Sequence, residues 1–206
     1  MQALETERVI VPIRVEVEPR YSDTHVDRNE DHGGEVAHDA SDMNMTQIQT
    51  SVGPAFGVWT SVEKLHAFDP HARPMPVPTW RMALAALADV EGRLVVNPAS
   101  RDNDDTGIII PKPATAALAQ RDTWLPAWRD ADLKERLIQV AGPPIAGVKI
   151  VAGEGITTVV HLLIPTRGGE RPSAQVLEAV NRITRDRRLL TACDRIVITP
   201  VPVRVT

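Results

Sequence analysis

The chain has 206 residues, 43% hydrophobic and 24% charged, an ordinary composition that excludes a wholly disordered protein and leaves room for one domain or two small ones. Aromatics are only 3%, so a core has to come from Val, Ile, Leu and Ala, and no run nears the roughly 20 apolar residues of a membrane span. The charge of -4 is uneven: residues 18 to 42 hold eight acids against Arg20 and Arg28, a net of -6, which leaves the rest at +2. The single cysteine, Cys193, excludes a disulfide framework and cannot by itself make a cysteine-based zinc site. The start, Met1 to Glu5, lacks the charged and apolar regions of a signal peptide, so a cytoplasmic protein is expected.

In chain order, Val9 to Val17 is rich in β-branched residues and reads as a strand. The acidic segment 18 to 42, poor in large apolar side chains, reads as a mobile loop, with residues 20 to 41 dispensable for folding. Met43 to Thr50 alternates like a second strand, so the two are expected to pair as a hairpin across that loop. Ala55 to Trp59 is a third strand. Thr60 or Ser61 then caps a helix through Phe68, with Val62, Leu65 and either His66 or Phe68 inward.

The prolines of Arg73 to Pro78 suit an edge strand. Thr79 is expected to cap a helix with Trp80, Leu84 and Leu87 on its inner face. Arg93 to Asn97 and Ile108 to Ile110 are strands around a polar turn, and 113 to 120 is a short Ala-rich helix. Trp124 to Trp128 looks like a linker held by its two tryptophans. Beyond it, Asp130 or Asp132 opens a helix bearing Leu133, Leu137 and Val140, and a hairpin turns at Gly153-Glu154-Gly155. A helix from Ser173 follows, and Arg195 to Val203 is an edge strand marked by Pro200 and Pro202.

This predicts an α+β fold of two small sandwich units: residues 1 to 120 with the loop 18 to 42, a linker 121 to 130, and an αββαβ unit over 131 to 206.

Gly57-Val58-Trp59-Thr60-Ser61-Val62-Glu63-Lys64-Leu65, Asp69-Pro70-His71-Ala72-Arg73-Pro74-Met75-Pro76-Val77-Pro78, Val95-Val96-Asn97-Pro98-Ala99 and Ile110-Pro111-Lys112-Pro113 occur in that order. Together they resemble the SseB (enhanced serine sensitivity protein B) family. Val9 to Pro12, Asp42-Met43 and Trp124 to Trp128 are similar to its actinobacterial members. The resemblance spans residues 8 to about 130 and extends in outline over 131 to 206. Relatives usually carry more helix before the first strand than Met1 to Glu7 offers, and the turn Ser100 to Thr106 is enlarged. The resemblance implies no catalytic residue that transfers to this chain.

Chemical motifs are sparse. Asp102 to Gly107 echoes a calcium loop, but the twelfth position, which needs a bidentate carboxylate, is Pro113, so a solvated turn is expected. His25, His32 and His38 lie on the acidic loop, where ordering entropy opposes an evolved cation site. His161 is expected to be a hydrogen-bonded structural histidine, His66 and His71 surface residues, and Cys193 a buried small hydrophobe. Gly168-Gly169 reads as a connector. No nucleophile elbow, zinc-protease, Walker or dinucleotide signature occurs. No catalytic, cofactor-binding or metal-binding residue is therefore assigned.

The suggestive surface is basic: residues 167 to 195 carry seven arginines against four acids, and Arg182, Arg185 and Arg188 fall at i, i+3 spacing. Read as one exposed stripe, it can be removed with little loss of stability. The expected role is a non-catalytic binding or regulatory protein with an unidentified protein partner and no membrane contact. Its candidate contacts are Arg182, Arg185, Arg188, Trp59, Trp124 and Trp128. An RNA- or ribosome-associated factor using the stripe, and an enzyme with a scattered site, are the alternatives; oligomeric state is open.

Overall fold

The computed structural model describes residues 2–13, 45–101, 107–166 and 174–204. The acidic segment 18 to 42 with its histidines, residues 102 to 106 of the polar turn, Gly168-Gly169, Arg167 and Arg171 lie outside the described residues. A short helix α1 (Gln2–Thr6) precedes β1 (Arg8–Ile13), β2 (Gln47–Thr50), β3 (Gly53–Val58), α2 (Val62–Phe68) and β4 (Arg73–Pro78). Next come α3 (Thr79–Asp89), β5 (Leu94–Val96), β6 (Ile108–Ile110) and α4 (Lys112–Gln120). With the three-stranded sheet that follows, the fold is α+β, as its sequence predicts.

The expected β1–β2 hairpin does not form. β1 pairs antiparallel with β4, from Arg8 opposite Pro78 to Ile13 opposite Arg73, and β2 pairs with β3 in a four-stranded sheet ordered β2-β3-β5-β6. Two local facts explain this. Ser51-Val52 with Gly53 at φ +116° closes β2 onto β3 in a tight turn, a far cheaper closure than one spanning the acidic segment. In β4 the prolines alternate at 74, 76 and 78, and backbone amides alternate in direction along a strand, so the missing donors all fall on the free side. Ile10, on the other side of β1, exchanges hydrogen bonds of 2.8 and 2.9 Å with Trp59 and ties this ribbon to the four-stranded sheet.

Ser61 caps α2 by accepting from the Lys64 amide at 3.4 Å, and Leu65 is the buried residue, with Phe68 rather than the exposed His66 beside it. In α3 the expected inner face is wrong: Met82, Ala83 and Ala86 are buried, while Leu84 is exposed and Trp80 half-buried. The alanines let α3 lie closely on α4, so small residues win over the larger apolar ones. Thr79 is not the cap either. It is the first helical residue and donates its hydroxyl to the Glu7 carbonyl at 2.9 Å.

The rest of the chain is α5 (Ala131–Ala141), β7 (Gly147–Ala152), β8 (Thr157–Thr166), α6 (Ala174–Thr184), α7 (Arg187–Ala192) and β9 (Arg195–Arg204). The sheet is ordered β7-β8-β9, with β9 parallel to β8 and at the edge, as its prolines require. Leu133, Leu137, Ile183 and Leu189 pack from the helices onto Val148, Val160 and Leu162. The order is αββααβ rather than αββαβ, because Asp186 starts a new helix by accepting from the Leu189 amide at 3.1 Å.

Asp130 caps α5 in the same way, at 2.9 Å from the Leu133 amide. The two capping carboxylates are cross-braced: Asp130 pairs with Arg188 of α7 at 2.9 Å, and Asp186 pairs with Arg136 of α5 at 2.8 Å. Burial works to raise both carboxyls, but these bonds outweigh it. Arg136 and the Leu189 amide hold Asp186 below its ordinary 3.8; the Leu133 amide and Arg188 do the same for Asp130. Stability from lowered carboxyls is complete above the ordinary value and lost as pH falls through the folded one. Melting curves from pH 6 to pH 3 should therefore fall further for the parent than for an Asp130→Asn/Asp186→Asn variant, by on the order of 5 °C.

Candidate functional site

A half-open cavity of about 430 Å³ lies between β6 with the start of α4 on one side and the β7–β8 turn with the end of α7 on the other. Its walls are largely apolar: Ile108, Ile110, Trp124, Trp128, Ile156 and Cys193 are the main side chains. Strand alternation puts Ile108 and Ile110 on one face of β6, which among the described residues is the outer strand of its sheet. Ile110 is buried, while Ile108 is left 67% exposed at the rim. The linker supplies the tryptophans. Pro126 leads into a 3-10 turn at Ala127–Arg129, which sets Trp128 edge-on to Trp124 with ring centroids 6.0 Å apart.

Among the described residues one charged side chain lines the cavity, and it is already satisfied. Asp194 accepts from Arg93 Nε at 3.1 Å, from Arg93 Nη2 at 2.6 Å and from the Lys112 amide at 2.8 Å. Its side chain is 2% exposed. The bonds to Asp194, foremost, raise the Arg93 guanidinium still higher. Arg93 and Asp194 are 101 positions apart, so this clamp joins β5 and α4 to the turn between α7 and β9. Beside it, burial pushes the Cys193 thiol up against a smaller opposing hydrogen bond from Thr158. The thiol is neutral and buried, as its sequence setting predicts.

The candidate contacts do not form one surface. Trp124 and Trp128 meet in the cavity. Trp59 is fully buried, 4.8 Å from the Phe68 ring, and has no surface to offer a partner. The arginine stripe is divided, since α6 ends at Thr184 and Arg188 belongs to α7. Arg182 donates to the Val140 and Ala141 carbonyls, orphan acceptors at the end of α5, and Arg188 holds Asp130. Helical spacing could not show this, because both partners lie on another helix.

Removing the stripe is therefore not expected to be neutral. Arg182→Gln and Arg188→Gln are each expected to cost up to about 1 kcal/mol, both side chains being exposed. Arg185→Gln should be close to zero. Urea denaturation of the three single variants checks the order.

His66 and His71 are exposed, as expected. His161 is half-buried, and its Nδ1 has no partner among the described residues. Also among the described residues, no group of three His, Cys, Asp or Glu side chains is placed to hold a metal ion, and no helix is long and apolar enough to cross a membrane. Ile108, Ile156, Arg93, Lys112 and Asp194 were not singled out by sequence; three consecutive isoleucines in a short strand beside a polar turn were the available signal.

Fold and cavity together define the class: an α+β protein with an apolar cleft whose one carboxylate is clamped. The chain belongs to the SseB family, since the family model for the SseB protein N-terminal domain matches residues 1–103. The pieces at Ile110 to Pro113 and Trp124 to Trp128 lie beyond the matched residues. No curated protein and no solved structure matches the chain.

The family segments interlock. Asn97, in the left-handed region at φ 55°, accepts from the Thr60 amide and hydroxyl at 2.9 and 3.1 Å. A Cβ on Gly57 would stand 2.8 Å from Trp59 and 3.3 Å from Pro98, so only glycine fits. These residues tie the ends of β3 and β5, the two inner strands of the sheet, to one another, and Thr60 among them also lines the cleft.

Proposed function

We propose that this chain is a non-catalytic binding protein of the cytoplasm and that the cleft, rather than the arginine stripe, is its working surface. The observation that carries the reading is the apolar cavity of about 430 Å³ with Trp124 and Trp128 in its wall. The raised Cys193 thiol is a poor nucleophile, which favours binding over thiol-based turnover in this cleft. RNA or ribosome binding loses support, because Arg182 and Arg188 already hold α5.

The proposal includes two folding units, residues up to about 120 and from 131 onward. One core cluster runs from Val9 to Leu118 and another from Ala127 to Cys193. The cleft then lies where the units meet.

The test is capture from a native extract, with and without nuclease, on the parent chain and on an Ile108→Arg/Trp128→Ala variant. Both positions are exposed, so the variant should fold. The parent is expected to retain at least one species, small or macromolecular, that the variant loses at least tenfold, whatever the nuclease treatment. Identical retention by both chains, or retention abolished by nuclease, would overturn the reading.

A further inference from the structure

We infer that the cleft takes a neutral, largely apolar small molecule of one to two rings, and that it discriminates against both acids and amines. The inference rests on the reading that the cleft is the binding surface and adds the chemistry of its occupant.

Size sets the first limit. A cavity of about 150 Å³ is enough to hold benzene, and this one is about 430 Å³, near the lower end of the range for small-molecule sites.

Charge sets the second. Among the described residues no Lys, Arg or His side chain lines the cleft, so an acid finds no counter-ion among them. Both oxygens of Asp194 are already taken by Arg93, with the Lys112 amide a further donor to one, so an amine finds no free carboxylate. Moving an ion into such a wall removes its hydration without replacement.

Open polar atoms are also few. Thr60 spends its hydroxyl on Asn97, Thr158 is buried, the Cys193 thiol at the cavity wall is only a weak hydrogen-bonding group, and the Trp124 Nε1 is enclosed by protein. A ligand needing several hydrogen bonds would leave them unmade. Ile108 and the 38% exposed Trp128, by contrast, present apolar surface at the rim that a neutral ligand would cover.

Three probes share one ring system and nearly one size: 2-ethylnaphthalene, 2-naphthoate and 2-naphthylmethylammonium. Each is titrated into the full chain by calorimetry. Occupancy of the cleft itself is read from the rate at which methyl methanethiosulfonate modifies Cys193, which is the chain's single thiol and lines the cavity.

The neutral probe should bind at least tenfold more tightly than either ion and slow Cys193 modification at least fivefold at saturation. The Ile108→Arg/Trp128→Ala variant should lose most of both effects while melting near the parent. If either ion binds as tightly as 2-ethylnaphthalene, the neutral class is wrong and the cleft remains the binding surface. If no probe protects Cys193 while capture still depends on the cleft residues, the small-molecule inference falls and a macromolecular occupant replaces it. Should neither protection nor cleft-dependent capture be seen, both readings fall.

Discussion

Replacing Trp59 with Ala is expected to lower stability by about 3–5 kcal/mol, the range for truncating a fully buried tryptophan, and to lower the melting temperature by on the order of 10 °C. The side chain is 0% exposed and packs against Phe68, Leu65 and Ala72. Its backbone bridges β1, so the cavity left by the ring opens where the ribbon meets the four-stranded sheet.

Trp59→Phe separates packing from polarity. The indole Nε1 is buried without a partner among the described residues, so deleting it removes an unsatisfied donor and offsets part of the lost volume. Phe should therefore cost less than half as much as Ala in urea denaturation. A Trp59→Ala variant that folds like the parent but loses a captured partner would contradict the burial and restore Trp59 as a contact residue.

Asp194→Ala is expected to cost about 3 kcal/mol, the low end for breaking one side of a buried pair, because Arg93 keeps its bond to the exposed Glu91 at 2.7 Å. The carboxylate accepts three hydrogen bonds, and its loss strands a guanidinium that is only 13% exposed, along with the Lys112 amide. Asp194→Asn keeps the shape and one acceptor oxygen and should cost about half as much.

This clamp also bears on the proposed two-unit organisation. Without it, proteolysis within 121 to 130 should accelerate at a temperature where both sheets remain folded by circular dichroism. A cost below 1 kcal/mol and unchanged cleavage would show that the halves are held by the cleft walls instead.

Sequence by itself determined what neighbouring residues decide. Caps at Thr60 or Ser61 and at Asp130 or Asp132, of which the structure uses Ser61 and Asp130, the edge positions of the proline-bearing strands and the turn at Gly153 to Gly155 rest on local residue chemistry, and the buried Cys193 and the α+β class follow from residue type and pattern; each is present in the structure. The segments that carry the family resemblance meet in space at Gly57, Trp59, Thr60, Asn97 and Pro98.

Tertiary structure alone decided the pairing of β1 with β4, the inward face of α3, the fate of the arginines and the cleft. Periodicity ranks positions on one element but is blind to what lies opposite. It favoured Leu84 over Ala83 and Ala86, although the close approach of α4 selects the smaller side chains. It grouped Arg182, Arg185 and Arg188, although two of them meet groups on α5 and at its cap. The cleft is assembled from β6, the linker, the β7–β8 turn and the end of α7, and closed by a pair 101 positions apart. No local rule reaches across that separation; only the folded chain brings those groups within hydrogen-bonding distance.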